Sequence, residues 1–233
     1  MPLVRWQERH RRMNHALEEA WTQGGKVPDD PGLRDAYEEV PRAPIRIIVL
    51  PLGKAINHGG ITRVADAYRI ERVDFAKEED RAIDFAGQRG TKGWQPWRWN
   101  DPLDSIHEAK EDGFTVAALT LSDNAVDVAV CNWVHPLAIV VGAENEGIPS
   151  HIEEQCDFSI AIPMYGLVAS LNVVTATALC LEYAVRSYSA SHPEFQPVRR
   201  GSRRLLGMEP LDFTSPCVQT SAVSKVRRKN LKS

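Results

Sequence analysis

Three blocks in a set order constrain this chain more than any other feature. They are Asn57-His58-Gly59-Gly60-Ile61-Thr62-Arg63, then Gly142-Ala143-Glu144-Asn145-Glu146-Gly147-Ile148-Pro149, then Ile162-Pro163-Met164 leading into Ser170-Leu171-Asn172. Each places Gly, Asn, Glu or Arg where a strand would hand over to a loop or helix. In α/β sheets such handover points are where ligands bind, so the blocks locate the chemistry.

The apolar pattern around the blocks supports that placement. Ile45 to Leu50 is a continuous apolar run with β-branched residues, followed by Pro51 and Gly53, as expected of a strand buried on both faces. Arg72 to Ala76, Thr115 to Leu119, Leu137 to Val141 and Phe158 to Ile162 are further strand candidates. Helical stretches fall between them, notably Leu103 to Asp112 and Ser150 to Gln155. The alternation predicts an α/β fold with a mostly parallel sheet flanked by helices. Ser170 to Ser189 reads as the clearest helix, with Leu171, Val174, Ala178, Leu181 and Val185 on one face and Ser170 as its N-cap.

With 233 residues, 43% hydrophobic and 25% charged, the chain can bury one sizeable core with extensions. Residues 7 to 23 pattern as an amphipathic helix, and Pro28 to Pro44 as a linker containing a short helix. The organisation expected is an N-terminal helical extension over 1–44, one domain over 45–190 and a basic, flexible arm over 191–233. In residues 199 to 233 nine Lys or Arg face only Glu209 and Asp212, a balance of +7 that leaves −10 for the rest of a chain with net charge −3. Such an arm either meets a polyanion or is merely a solvated end.

Cys131, Cys156, Cys180 and Cys217 show no Cys-x-x-Cys pairing and no His clusters at metal-ligand spacing. A reduced, cytoplasmic protein with no bound metal is the expectation. No apolar stretch approaches the roughly 20 residues that span a bilayer, and no signal-peptide core follows the N-terminus. Neither membrane nor DNA is an expected partner.

Taken together the three blocks resemble the signature motifs of the SpoU branch of the SPOUT methyltransferases, in the order Asn-x-Gly-x-x-x-Arg, Gly-x-Glu-x-x-Gly and Ile-Pro-Met-x-Gly-x-x-x-Ser-Leu-Asn-Val. The likeness covers roughly residues 45 to 188. Gly90-Thr91-Lys92-Gly93-Trp94 agrees with it, and Leu121-Ser122-Asp123-Asn124-Ala125-Val126-Asp127 is especially like the TrmH guanosine 2′-O-methyltransferases acting on tRNA. The resemblance implies a SPOUT domain whose C-terminal half forms a deep trefoil knot, working as a homodimer. It implies methyl transfer from S-adenosylmethionine to a ribose 2′-hydroxyl in structured RNA, with tRNA ahead of ribosomal RNA. The alternatives are a ribosomal RNA methyltransferase and a non-catalytic RNA-binding protein on the same scaffold. The glycine spacing of Gly142-x-Glu-x-x-Gly does not fit a dinucleotide site.

By motif position the resemblance assigns the catalytic group to Asn57, Arg63, Glu144, Ser170 and Asn172, and cofactor binding to Leu119, Gly142, Ile162 and Leu171. Methyl transfer needs an in-line oxygen nucleophile, a held cofactor and a route for the hydroxyl proton, without a metal. Arg63 acts either as the base or as a clamp on phosphate and developing charge. The sequence reading sets Asn57 in a loop, where its amide positions Arg63 or substrate, with Gly59 and Gly60 letting backbone approach ligand. His58 is a variable neighbour, and Trp94, Trp97 and Trp99 pattern as packing more than as base-stacking groups. Arg5, Arg9, Arg11, Arg12, Arg89, Lys92 and the tail cations are the candidates for phosphate contact.

Overall fold

The computed structural model describes residues 40–77, 94–143 and 146–195. Seven strands carry the fold: β1 (Ala43–Val49), β2 (Ile70–Ala76), β3 (Trp97–Asn100), β4 (Thr115–Leu119), β5 (Val126–Asp127), β6 (Leu137–Val141) and β7 (Phe158–Ala161). Among the described residues four helices connect or close them: α1 (Ile56–Ala67), α2 (Pro102–Glu111), α3 (Ser150–Glu153) and α4 (Val173–Ser191). The strands form one sheet in the order β3-β2-β1-β6-β4-β7-β5. Each neighbouring pair runs parallel.

Strand alternation divides the core between the two faces of the sheet. Ile45, Ile47, Val49, Phe75, Leu137, Ile139 and Ile160 point to one side, where Ile61 and Ala65 of α1 and Leu181 and Ala184 of α4 cover them. Ile48, Leu50, Val116, Ala138 and Val140 point to the other, under Ile106 and Ala109 of α2 and Ile152 of α3. Both faces of β1, β4 and β6 are therefore buried, which is why these strands read as unbroken apolar runs.

Local chemistry sets the element ends. The Asp101 carboxylate accepts from the Leu103 N–H at 2.8 Å and Pro102 opens the first turn, so α2 starts one residue before the apolar pattern suggested. Pro44 belongs to β1 rather than to a linker. It sits where the β1–β2 register shifts between Ala43 and Arg46, and an irregularity of that kind accommodates a residue with no N–H to donate.

The last helix departs from expectation at its start. Ser170 is exposed and lies outside it, and Asn172 is the N-cap, its side chain accepting from the Val174 N–H at 2.9 Å. An Asn amide oxygen serves an orphan N–H as well as a serine hydroxyl does, and here it stands next to the apolar run. The buried stripe shifts accordingly to Val173, Thr177, Cys180, Leu181 and Ala184, with Val174 and Val185 on its flank.

Helices α1 and α4 pack side by side. A Cβ on Gly60 would stand 2.7 Å from Val174 Cγ2, so glycine at this position permits the close crossing. Farther along, Tyr68 meets Glu182, and burial followed by that carboxylate pushes the phenol up to about 12.

Among the described residues no helix is long and apolar enough to cross a membrane.

Candidate functional site

The sheet order brings the sequence blocks together. Block one follows β1, block two follows β6 and block three follows β7, and Leu119 ends β4; these strands are consecutive in the order β1-β6-β4-β7. Because they are parallel, their carboxyl ends open on the same edge. The register makes this concrete: Val49 pairs with Val141, Val141 with Leu119, and Leu119 with Ile160. This edge holds the position where the chain, having wound outward from β1 to β3, resumes on the other side of β6, the kind of switch point that opens a crevice in an α/β sheet.

The second block is a tight return. Ala143 and Gly147 exchange backbone hydrogen bonds at 3.1 Å, and Gly147 has φ +67°. A Cβ on Gly142 would lie 2.4 Å from the Gly147 carbonyl carbon, so the glycine is required by the returning loop itself. Pro149 takes the N-cap position of α3. Glu144 lies outside the described residues, as do Arg5, Arg9, Arg11, Arg12, Arg89, Lys92 and the basic tail.

Blocks one and three touch directly. The Asn172 Nδ2 donates to Asn57 Oδ1 at 3.3 Å, while Asn172 Oδ1 accepts from Val174. One exposed amide thus starts α4 and reaches a side chain 5% exposed in α1. Asn57 is not in a loop, since the whole Asn57 to Arg63 run is helical within α1. Gly59 and Gly60 both lie within that helix, and Gly60 faces Val174.

Arg63 stands apart from this contact. Six residues beyond Asn57 on α1, it lies about 120° around the helix and about 9 Å along it. It is exposed, and among the described residues its guanidinium has no ion-pair partner. The structure therefore joins Asn57 to Asn172 and not to Arg63. Ser170 is exposed in the segment leading to Asn172.

The positions for a cofactor have a consistent setting. Leu119, Gly142, Ile162 and Leu171 are half-buried, unlike the fully covered strand residues beneath them. Among the described residues, no N–H or C=O of residues 163–170 takes part in a hydrogen bond. Open backbone groups beside aliphatic walls are the donor and acceptor set that an adenosine-bearing ligand uses, so the residues fit S-adenosylmethionine. Tyr165, Leu167 and Val168 on that segment are exposed.

His58 belongs to the core. It is 4% exposed, its Nδ1–H donates to the Ala55 carbonyl at 3.0 Å, and its ring packs 5.0 Å from Phe75 and 5.9 Å from Trp99. Trp97 and Trp99 meet edge to face at 5.6 Å over the same cluster, which accords with packing. Reading along the chain could not find the Asn57–Asn172 bond, whose partners are 115 residues apart. The visible signal was only an Asn immediately before an apolar helical run.

A parallel α/β sheet with a topological switch point at its carboxyl edge defines the class, and comparison with known proteins supplies the family. The model of the SpoU rRNA Methylase family matches residues 44–182, and the chain belongs to that family. It is 35% identical over 129 residues to a putative TrmH family tRNA/rRNA methyltransferase of Staphylococcus haemolyticus, covering 54% of this chain and 51% of the relative. It is 34% identical over 135 residues to the tRNA (guanosine(18)-2′-O)-methyltransferase of Escherichia coli K12, covering 57% and 59%. The chain thus spans about half to three-fifths of the length of these curated relatives. Its fold is similar to the crystal structure of the Aquifex aeolicus TrmH/SpoU tRNA modifying enzyme, with TM-score 0.63, 24% identity, and 86% and 94% of the two chains covered.

Proposed function

We propose that this protein transfers a methyl group from S-adenosylmethionine to the 2′-hydroxyl of a ribose in structured RNA, tRNA in the first place. The observation that carries the reading is the Asn172–Asn57 bond, which unites the first and third motifs beside the carboxyl ends of β6, β4 and β7. When bound, the cofactor would supply an electrophilic methyl group on a sulfonium. Leu119, Gly142, Ile162 and Leu171 would hold it through their backbone groups and aliphatic walls, and Ser170 and Asn172 would line the approach.

Arg63 is the group that meets RNA. A guanidinium keeps its proton and presents a planar fork of donors, so Arg63 works as a cation rather than as a base. It holds a phosphate beside the target ribose and stabilises charge developing on the 2′-oxygen, while the proton leaves to solvent on the exposed side. Glu144 balances that positive charge. Asn57 links α1 to the entry of α4.

The same reading includes a homodimer, a trefoil knot and a cytoplasmic setting. Exposed Leu179 and Tyr183 on the outward side of α4 support a second copy. The position of β7 between β4 and β5, two strands that precede it in the chain, supports a threaded C-terminal half. Free Cys131, Cys156 and Cys180 suit a reducing compartment. The basic tail and N-terminal arginines would add phosphate contacts.

The test is transfer of labelled methyl to bulk tRNA and, separately, to ribosomal RNA, followed by nucleoside mass spectrometry. A 2′-O-methylated nucleoside from tRNA is the expected result. Label in ribosomal RNA alone would move the substrate to that pool. Absence of label in both, together with absence of cofactor binding by calorimetry, would overturn the proposal in favour of a non-catalytic RNA-binding protein.

A further inference from the structure

A single carboxylate oxygen ties together the chain segments that surround the proposed cofactor site. Glu153 Oε1 accepts from Ser122 Oγ at 2.9 Å and from Ser159 Oγ at 2.7 Å. Glu153 ends α3, which follows the Gly142–Pro149 loop and is anchored to it by the Glu153 N–H donating to the Pro149 carbonyl at 3.0 Å. Ser122 lies three residues beyond Leu119, in the loop that leaves β4. Ser159 is in β7, three residues before Ile162, and pairs with Ala118. One acceptor on α3 therefore joins the loop after β4 to β7, next to the strand end that leads into Ile162.

Among the described residues 121–125, Ser122 makes the side-chain hydrogen bond that reaches another element. The turn at Ser122, closed by the Ala125 N–H donating to its carbonyl at 3.0 Å, is local to the loop. The flanking Leu121 is exposed and contributes no core packing. Backbone pairing of the chain to β7 stops after Thr120, whose N–H donates to the Ile160 carbonyl at 2.9 Å, and resumes at β5, where Val126 pairs with Ile160. Between those two points the Ser122–Glu153 bond ties the loop to α3.

We propose that Glu153 is a positioning residue for cofactor binding, holding the Leu119 loop in register with the Gly142 and Ile162 loops so that their backbone groups converge on one ligand. The inference rests on the methyltransferase reading for the identity of the ligand. A carboxylate accepting two hydroxyls makes hydrogen bonds of the stronger, charge-assisted kind. A glutamine keeps the acceptor oxygen without the charge, and an alanine removes it.

The experiment uses the full chain and two measurements: S-adenosylmethionine affinity by calorimetry, and backbone amide hydrogen exchange without any ligand. Glu153→Ala is expected to weaken the cofactor by about tenfold and to speed exchange of the 120–125 amides, while Glu153→Gln stays within about threefold of the parent protein. Ser122→Ala leaves α3 intact and is expected to reproduce the faster loop exchange, which keeps the test open if Glu153→Ala folds poorly. Unchanged affinity and unchanged loop exchange in Ser122→Ala and Glu153→Ala would overturn the inference. So would a lowered melting temperature in Glu153→Ala with affinity intact, which marks a structural role alone. If the parent protein binds no S-adenosylmethionine, the functional reading fails instead, and the exchange measurement still decides whether Glu153 orders the loop.

Discussion

The β2–β3 edge and the carboxyl-end loops treat polar groups in opposite ways. At the edge, Asp74 is 1% exposed and takes Arg72 at 2.7 Å and Arg98 at 2.8 Å on the same oxygen, with further bonds to its second oxygen. Glu108 of α2 pairs with Arg98, and hydrogen bonding to Asp74 is the main reason that the Arg98 guanidinium is raised above its ordinary range. Arg46 repeats the pattern nearby. Burial alone would lower it, but Glu71 and Asp112, each at 2.7 Å, raise it on balance. These groups are engaged chiefly with one another across β1, β2, β3 and α2. The 163–170 segment, by contrast, keeps its backbone groups open among the described residues and exposes Tyr165, Leu167 and Val168. Satisfied polar clusters hold the sheet together; open ones at strand ends are where binding energy remains to be gained.

The comparison breaks first at Asp74. Asp74→Ala leaves two arginines against a buried vacancy, and urea melts are expected to show a loss of about 3–5 kcal/mol, because removing one partner of a buried pair strands the other charge. Arg63→Ala, on the open side, should cost at least about a hundredfold in methyl transfer with melting and cofactor affinity unchanged. Arg63→Lys should keep measurable activity if the residue is a clamp, and complete loss in Lys with RNA affinity intact would count against that role.

Gly60→Ala is expected to destabilise by about 1–3 kcal/mol through the Val174 contact, and adding Val174→Ala should recover much of it in a double-mutant cycle. Asn172→Ala should lose about 1 kcal/mol of helix capping and the bond to Asn57, whereas Asn172→Asp keeps the cap but not the donor. A chemical denaturation pair would separate the two contributions.

The smallest effect at neutral pH concerns Cys156, whose thiol burial pushes up from 9.0 to about 12. Its folded pKa lies above its unfolded one, so its contribution is complete below pH 9 and is lost as pH rises toward 12. Stability of Cys156→Ser should fall less steeply than that of the parent protein across that window.

Much of the architecture was legible because burial writes itself into local pattern. Thr115–Leu119 and Leu137–Val141 were readable to the residue, since strands covered on both faces admit little but apolar, often β-branched, side chains. The two-residue β5 left no such trace. Asn57, Arg63, Gly142 and Asn172 stood out by motif, yet their surroundings did not. The loop expected at Asn57 to Gly60 proved to be helical, and the helix cap moved from Ser170 to Asn172, because an amphipathic stripe is blind to where a polar flank stops being loop.

What the sequence determined by itself was the list of strands, their alternation with helices and the three motif blocks, all properties of short-range side-chain pattern. Tertiary structure alone decided that β6 enters between β1 and β4 and β7 between β4 and β5, and so which strand ends are neighbours. It also decided that Asn57 meets Asn172 and that Glu153 meets Ser122 and Ser159. Strand order is set by the sum of many weak, long-range packing contacts, and no window of sequence contains that sum.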